Sequence, residues 1–254
     1  MDPTRLRERL AAGDILLGLS NNYPSAALIE TVGSMWDFIW IDGQHGQFSY
    51  DNALTAVRAS DLVGTDSLLR APGHEHSLLG LYIDMFPSAL MVPMVNTPAQ
   101  AHAVVDATKF PPLGNRSFGG RRPIDSLGRE YYLAEGPLLI AQIETPRAVE
   151  NVEEIAATDG IDVLFLGADD LKIQSGESVD APNLETEVVT QAMDRVAKAA
   201  KGAGKYSGCV AVTPEQVKYS IDLGYQILAV GGDMAMLRCA CRDALELLRK
   251  VITG

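Results

Sequence analysis

Short apolar runs rich in Val, Ile and Leu recur along the chain, and each gives way to polar or Gly/Pro punctuation and then to a helical pattern. Eight qualify: ILLGLS at 15–20, FIWID at 38–42, SLLRAP at 67–72, ALMVPMV at 89–95, LLIAQIE at 138–144, VLFLGAD at 163–169, YSGCVAV at 206–212 and YQILAV at 225–230. They stay apolar without strict alternation, as expected of strands buried on both faces of a parallel sheet. Amphipathic segments lie between them. PRAVENVEEIAATDG predicts one helix, with Thr145 as N-cap, Pro146 in the first turn, and Val149, Val152 and Ile155 on one stripe. The widest gap, 172–204, holds a loop and the helical pattern ETEVVTQAMDRVAKAAK. Strand and helix alternating eight times in 254 residues predict a single (β/α)8 TIM barrel domain spanning 1–254. A doubly wound open sheet is the alternative, but it wants a Gly-rich phosphate turn after its first strand, and LSNNYPS is not one.

Composition narrows the partners. At 47% hydrophobic and 21% charged residues the chain reads as a soluble globular protein with length for a large core. The formal net charge of -12 repels phosphate backbones and anionic bilayers, so neither nucleic acid nor a membrane is expected as a partner. The start MDPTRLRERLAAGD lacks an apolar leader segment and no later stretch is long and uncharged enough for a bilayer, which predicts a cytoplasmic protein. Cys209, Cys239 and Cys241 form no even framework and are expected to be buried or idle thiols.

In a barrel the active site lies at the carboxyl ends of the strands, so the residues ending each run are the candidates. Asp42 and His45 follow the second run, Arg70 lies in the third, Gln142 and Glu144 in the fifth, and Asp169 or Asp170 after the sixth. Any one of these carboxylates can be a helix cap or a solvated loop residue. Their conjunction, with complementary charges, points to a site. Other features compete less well. His74, Glu75 and His76 give HEH, but zinc-type H-E-x-x-H needs two histidines one helical turn apart, so these read as solvated helix-start residues. GNRSFGGRRP, through Asn115 to Pro123, reads as a surface or subunit-contact loop, with a grip on the distal end of an acidic substrate as the competing role. A lysine aldolase forming a Schiff base is a mechanistic competitor. However, Lys109, Lys172, Lys201, Lys205, Lys218 and Lys250 all fall in helical or loop contexts.

These residues resemble the HpcH/HpaI aldolases, metal-dependent enzymes that cleave 4-hydroxy-2-oxo acids to pyruvate and an aldehyde. The resemblance covers nearly the whole chain. It is most specific at IDGQH, at LMVPMVNTPAQAHAVVDATKFPPLGNR and at QIETPRAVENVEEIAATDGIDVLFLGADDL, which are similar to the family's IDGEH, its VPMV and YPP.G.R block, and its QIET and PADL block. The resemblance implies Glu144 and Asp170 as ligands of a divalent metal (Mg²⁺, Mn²⁺ or Co²⁺). It implies Arg70 as the substrate-clamping arginine, Asp42 and His45 as the catalytic Asp and His, and Gln142, Ala168, Asp169 and Asp170 beside the bound keto acid. Asp169 replaces the alanine of PADL, so Asp170 is the expected ligand. Two carboxylates suit a hard cation that keeps positions open for a chelating 2-keto acid. His45 would be the base, with Asp42 fixing the imidazole tautomer. A homo-oligomer is also implied, a hexamer of three dimers that exchange their last helix, and DALELLRKVI is apolar enough for such packing.

The chain departs from the family pattern at Gln44, where IDGEH has glutamate, at Leu19, where many relatives carry tryptophan, at Asp84-Met85-Phe86-Pro87 before the fourth strand, and at FGGRRP. The pyruvate half of the site is intact, while the half facing the second substrate differs. Oxaloacetate decarboxylation or a citrate-synthase-like condensation on the same fold is therefore an alternative function, and a barrel that binds a small acid without turnover is another.

Overall fold

All eight apolar runs become strands: β1 (Leu16–Asn21), β2 (Phe38–Asp42), β3 (Asp66–Arg70), β4 (Ala89–Val92), β5 (Leu138–Ile143), β6 (Val163–Leu166), β7 (Tyr206–Val210) and β8 (Ile227–Gly232). In the computed structural model, which describes residues 4–253, they pair in parallel in chain order and β8 closes on β1, giving a (β/α)8 barrel. Residues 1–3 and 254, the ends of the expected domain span, lie outside the described residues. Among the described residues no helix is long and apolar enough to cross a membrane.

Two apolar cores follow from the two-residue period of a strand. Phe38, Trp40, Leu68, Met91, Leu138, Ile140, Val163 and Phe165 point into the barrel, where Trp40 meets Phe165 edge-on at 5.4 Å between ring centroids. Leu6 and Leu10 of the first helix (Arg5–Ala11) join this inner core, so that helix plugs the amino end. The intervening residues Ile39, Ile41, Leu69, Leu90, Leu139, Leu164 and Leu228 face outward and pack with the helices. This double burial is why the strands read as unbroken apolar runs.

The Thr145 cap is present: its hydroxyl accepts from the Ala148 N–H, with Pro146 in the first turn. The same Thr-Pro start recurs at Thr97-Pro98 and Thr213-Pro214. The helix expected after Thr145 is not continuous. It breaks at Asn151 into Pro146–Glu150 and Val152–Ala156, and the Asn151 side chain donates to the Asn96 carbonyl at 2.8 Å. The 172–204 gap holds the expected helix as Glu187–Gly202.

Candidate active site

Continuing the inward parity of β2, β3 and β5 by one step past the inner core places Asp42, Arg70 and Gln142 in one layer at the carboxyl end. Asp42 and Arg70 are register partners on neighbouring strands. All three are buried, as is Glu144 just beyond β5. The Arg70 guanidinium grips Asp42 with both arms, Nε to Oδ1 at 2.9 Å and Nη2 to Oδ2 at 2.6 Å, while Nη1 faces the Gln142 side-chain oxygen at 3.4 Å. Its flat face lies over Trp40 at 4.9 Å. Burial alone would push the Asp42 carboxyl up, but the Arg70 hydrogen bonds and charge, with the N–H groups of His45 and Gln44, bring it below the usual carboxylate range.

Glu144 is set differently. Oε1 accepts from the Met94 N–H at 2.7 Å, and Oε2 is buried with no hydrogen-bond partner. Burial pushes this carboxyl up and the charge of nearby Asp170 adds to it, against the Met94 N–H and Arg70, so that it settles at about 7. The backbone around it is fitted closely. Met94 has φ 57°, a left-handed conformation uncommon outside glycine. At Gly167 a Cβ would lie 2.7 Å from the Glu144 Cβ and 2.9 Å from the Gln142 amide nitrogen, so only glycine lets the turn after β6 approach.

That turn enters the helix Ala168–Gln174, which carries Asp170 in its first turn beside Glu144. Ala168 and Asp169 supply first-turn N–H groups, which an α-helix leaves without internal acceptors. The Asp169 carboxylate does not join the site. It is exposed and pairs with Lys172 at 3.1 Å. Lys172 is itself buried and donates to the Val179 and Ala181 carbonyls, so its ammonium is held in the loop after its helix.

The expected pairing of Asp42 with the His45 imidazole is also not what the fold builds. Asp42 Oδ1 accepts from the backbone N–H groups of Gln44 and His45, each at 3.1 Å, and the rest of its carboxylate is taken by Arg70. Asp42 therefore orients His45 through the main chain, and the imidazole itself is exposed at the mouth. The arginine-rich loop is a surface loop, as expected, with Asn115, Ser117, Phe118 and Arg121 exposed. It lies between the helix Pro98–Thr108 and β5, at the amino end of the barrel and opposite the site. Arg116 is buried against Asp84 at 2.5 Å and stacked over Phe110 at 4.8 Å. Arg122 pairs with Asp61 and donates to the Met85 and Phe86 carbonyls. The loop thus straps the barrel base, on the side away from this chain's own carboxyl-end layer. His74 and His76 are exposed around the start of the helix His76–Ile83, as expected. Cys209 is buried, and Cys239 and Cys241 are exposed and free.

Sequence reasoning missed Met94 and Gly167. Gly167 carried a signal, a glycine between strand and helix inside VLFLGAD. Met94 carried none, because it acts through its N–H. Among the described residues no three His, Cys, Asp or Glu gather as a ready metal cage. The Glu144–Asp170 pair still suits a cation: one buried carboxylate oxygen is orphaned, and burial, with the like charge of Asp170, raises its proton affinity.

Residues 19–240 match the family described as HpcH/HpaI aldolase/citrate lyase. A 4-hydroxy-2-oxovalerate aldolase of Novosphingobium aromaticivorans is 34% identical over 96% of this chain and 94% of its own length. A hydroxypyruvate/pyruvate aldolase of Delftia acidovorans is 34% identical over 89% of this chain and 84% of its own. The crystal structure of an HpcH/HpaI aldolase/citrate lyase family protein from Burkholderia cenocepacia superposes with a TM-score of 0.86 at 30% identity, covering 96% of this chain and 98% of that one. A closed barrel with its buried Asp-Arg-Gln-Glu layer at the carboxyl end, and relatives of this similarity across almost the entire chain, lead to one assignment: the chain belongs to the HpcH/HpaI aldolase/citrate lyase family and is a lyase of the pyruvate aldolase type.

Proposed function

We propose that the carboxyl end of the barrel cleaves a 4-hydroxy-2-oxo acid to pyruvate and an aldehyde, with Arg70, Gln142, Glu144, Asp170 and His45 as the working groups. The observation that carries this is Glu144: a buried carboxylate with one oxygen fixed by Met94 and the other unpartnered, beside Asp170 and within one layer of the Arg70–Gln142 pair. Glu144 and Asp170 would hold a divalent cation, Mg²⁺, Mn²⁺ or Co²⁺, which supplies Lewis-acid polarisation of the 2-keto carbonyl when bound. Arg70 is rigid because Asp42 takes Nε and Nη2, and its remaining edge beside Gln142 meets the substrate carboxylate or the oxygen on which charge develops. The first-turn N–H groups of Ala168 and Asp169 would be free to meet the same carboxylate. His45 takes the proton of the C4 hydroxyl, the C3–C4 bond breaks, and a proton is returned at C3 to give pyruvate.

The test needs no knowledge of the aldehyde. In deuterated water with Mg²⁺, pyruvate alone should lose its methyl proton signal in an enzyme-dependent way, and Glu144→Gln or Asp170→Asn should remove that exchange. No exchange above the buffer rate, with carbon dioxide released from oxaloacetate instead, would replace aldol cleavage by decarboxylation.

We also infer a homo-oligomer, a hexamer of three dimers, in which a second copy covers the C-terminal helix Asp233–Thr253. Along that helix Leu237, Leu245, Leu247, Leu248, Val251 and Ile252 are all more than half exposed, an apolar load that a helix left in water does not carry. Light scattering on the purified chain reads the assembly directly, and a monomer at micromolar concentration would overturn it. The exposed thiols of Cys239 and Cys241 fit a reducing compartment, and we place the enzyme in the cytoplasm.

A further inference from the structure

Asp233 opens the C-terminal helix, yet only one of its hydrogen bonds serves that helix. Its side chain is buried, and Oδ1 accepts from the Met234 N–H at 2.7 Å. The other contacts run to the segment leaving β1. Oδ2 accepts from the Asn21 side-chain amide at 2.9 Å and from the backbone N–H groups of Asn22 at 2.9 Å and Tyr23 at 3.0 Å, and Oδ1 faces the Asn22 amide at 3.4 Å. An ordinary helix-capping acid bonds its own first turn. This one closes the β8–β1 seam of the barrel at its carboxyl end.

The segment it holds reaches the His45 loop. The Asn22 carbonyl accepts from the Gln47 N–H at 2.9 Å, two residues beyond His45. Between them sits Gly46, where a Cβ would lie 2.3 Å from the Asp42 carbonyl oxygen and 3.0 Å from that of Asn22. The loop is therefore pressed against both carbonyls and cannot shift toward either. His45 is anchored on one side by Asp42, itself locked to Arg70, and on the other by Asn22. The second anchor is as firm as the Asn21–Tyr23 turn, and Asp233 is what gathers the donors of that turn.

We propose that Asp233 is a positioning residue: through Asn22 it fixes where the 43–47 loop presents His45, making the root of the C-terminal helix and the proton-transfer corner of the site one mechanical unit. This rests on the reading of His45 as the base. Arg70, Gln142, Glu144 and Asp170 stand on or after β3, β5 and β6, away from the β8–β1 seam. Loss of Asp233 should therefore slow proton transfer and leave pyruvate and cation binding in place.

The chain has four histidines, His45, His74, His76 and His102, so histidine-labelled NMR of the full protein reads the loop with three internal controls. In Asp233→Asn the His45 imidazole signal, assigned from His45→Ala, should move while the other three superimpose on wild type. Pyruvate methyl exchange with Mg²⁺ should fall about tenfold or more in turnover at unchanged KM, since small misplacements of a reacting group cost on that scale. A His45 signal that superimposes on wild type overturns the proposal, as does a loss of turnover shared equally by KM. Should Asp233→Asn fail to fold, Asn21→Ala leaves the carboxylate in place and is read the same way, and an unmoved His45 signal there overturns it too. A wild type without exchange would sink the aldolase reading alone, because the histidine spectra decide the positioning independently.

Discussion

At the amino end of the barrel Arg7 donates to Asp162 at 2.8 Å, Arg5 reaches Asp66 at 3.2 Å, Arg116 holds Asp84 at 2.5 Å and Arg122 pairs with Asp61. At the carboxyl end Asp42 is matched to Arg70, but Glu144 keeps a buried oxygen with no partner and a proton affinity raised to about 7. The acids of one end meet cations of the same chain. At the other end Asp42 meets Arg70 but Glu144 has no such partner, although the chain carries 21 Lys and Arg with which to match it. A buried carboxylate left unmatched costs stability, so its persistence marks the end where something from solution is to complete the set. The amino end shows the same fold matching its acids from within the chain.

The contrast can be broken most severely at Arg70. Arg70→Lys keeps the charge but loses the planar fork, so turnover in the exchange assay should fall on the order of 10²-fold or more. Near-normal kinetics would remove Arg70 from the site. Next in size is the pH dependence of the metal-free protein. The Glu144 carboxyl is raised in the folded state from 4.5 to about 7. Its contribution is therefore fully present below pH 4.5 and is lost as pH rises through about 7. Glu144→Gln should flatten that part of the profile, making the metal-free variant more stable than wild type at pH 8 by about 2–3 kcal/mol, from linkage. Denaturant melts at pH 5 and pH 8 check it, and equal wild-type-to-variant differences at the two would refute it.

At the amino end the expected sign reverses. Arg116→Met leaves Asp84 without its buried cation and should destabilise by about 1–3 kcal/mol, while exchange per folded molecule stays unchanged. A loss of exchange without a loss of stability would bring this loop into the pyruvate half of the site. Smallest are His74→Ala and His76→Ala. Both side chains are exposed, so stability should change by no more than about 0.5 kcal/mol and exchange not at all. A metal-dependent effect of either would reopen the HEH triplet as a ligand set.

What was legible in the chain differed by kind of signal. The strands could be read because each buries both faces and so writes an uninterrupted apolar run, and Asp42, Arg70, Gln142 and Glu144 stood out because charge or amide at the end of such a run is costly without a purpose. The Thr145-Pro146 start was legible because a cap is local chemistry. The break at Asn151 was not, since the carbonyl its side chain takes belongs to Asn96 in another loop. The arginine loop was legible as a surface loop but not in its partners: arginines among glycines look alike whether they wait for an anion or, like Arg116 and Arg122, already hold Asp84 and Asp61.

The sequence by itself determined the barrel, the layer of polar groups one step above the inner core, and the family, because periodicity and motif are properties of neighbouring residues. The tertiary structure decided which atoms of those residues are committed and which are open. Asp42 is spent on Arg70 and on main-chain N–H groups, Asp169 pairs with Lys172, and Glu144, with Oε1 fixed by the Met94 N–H and room given by Gly167, keeps a buried Oε2 without a partner. Those commitments are set by distances between residues far apart in the chain, and by the exclusion of water among them, neither of which a one-dimensional pattern contains.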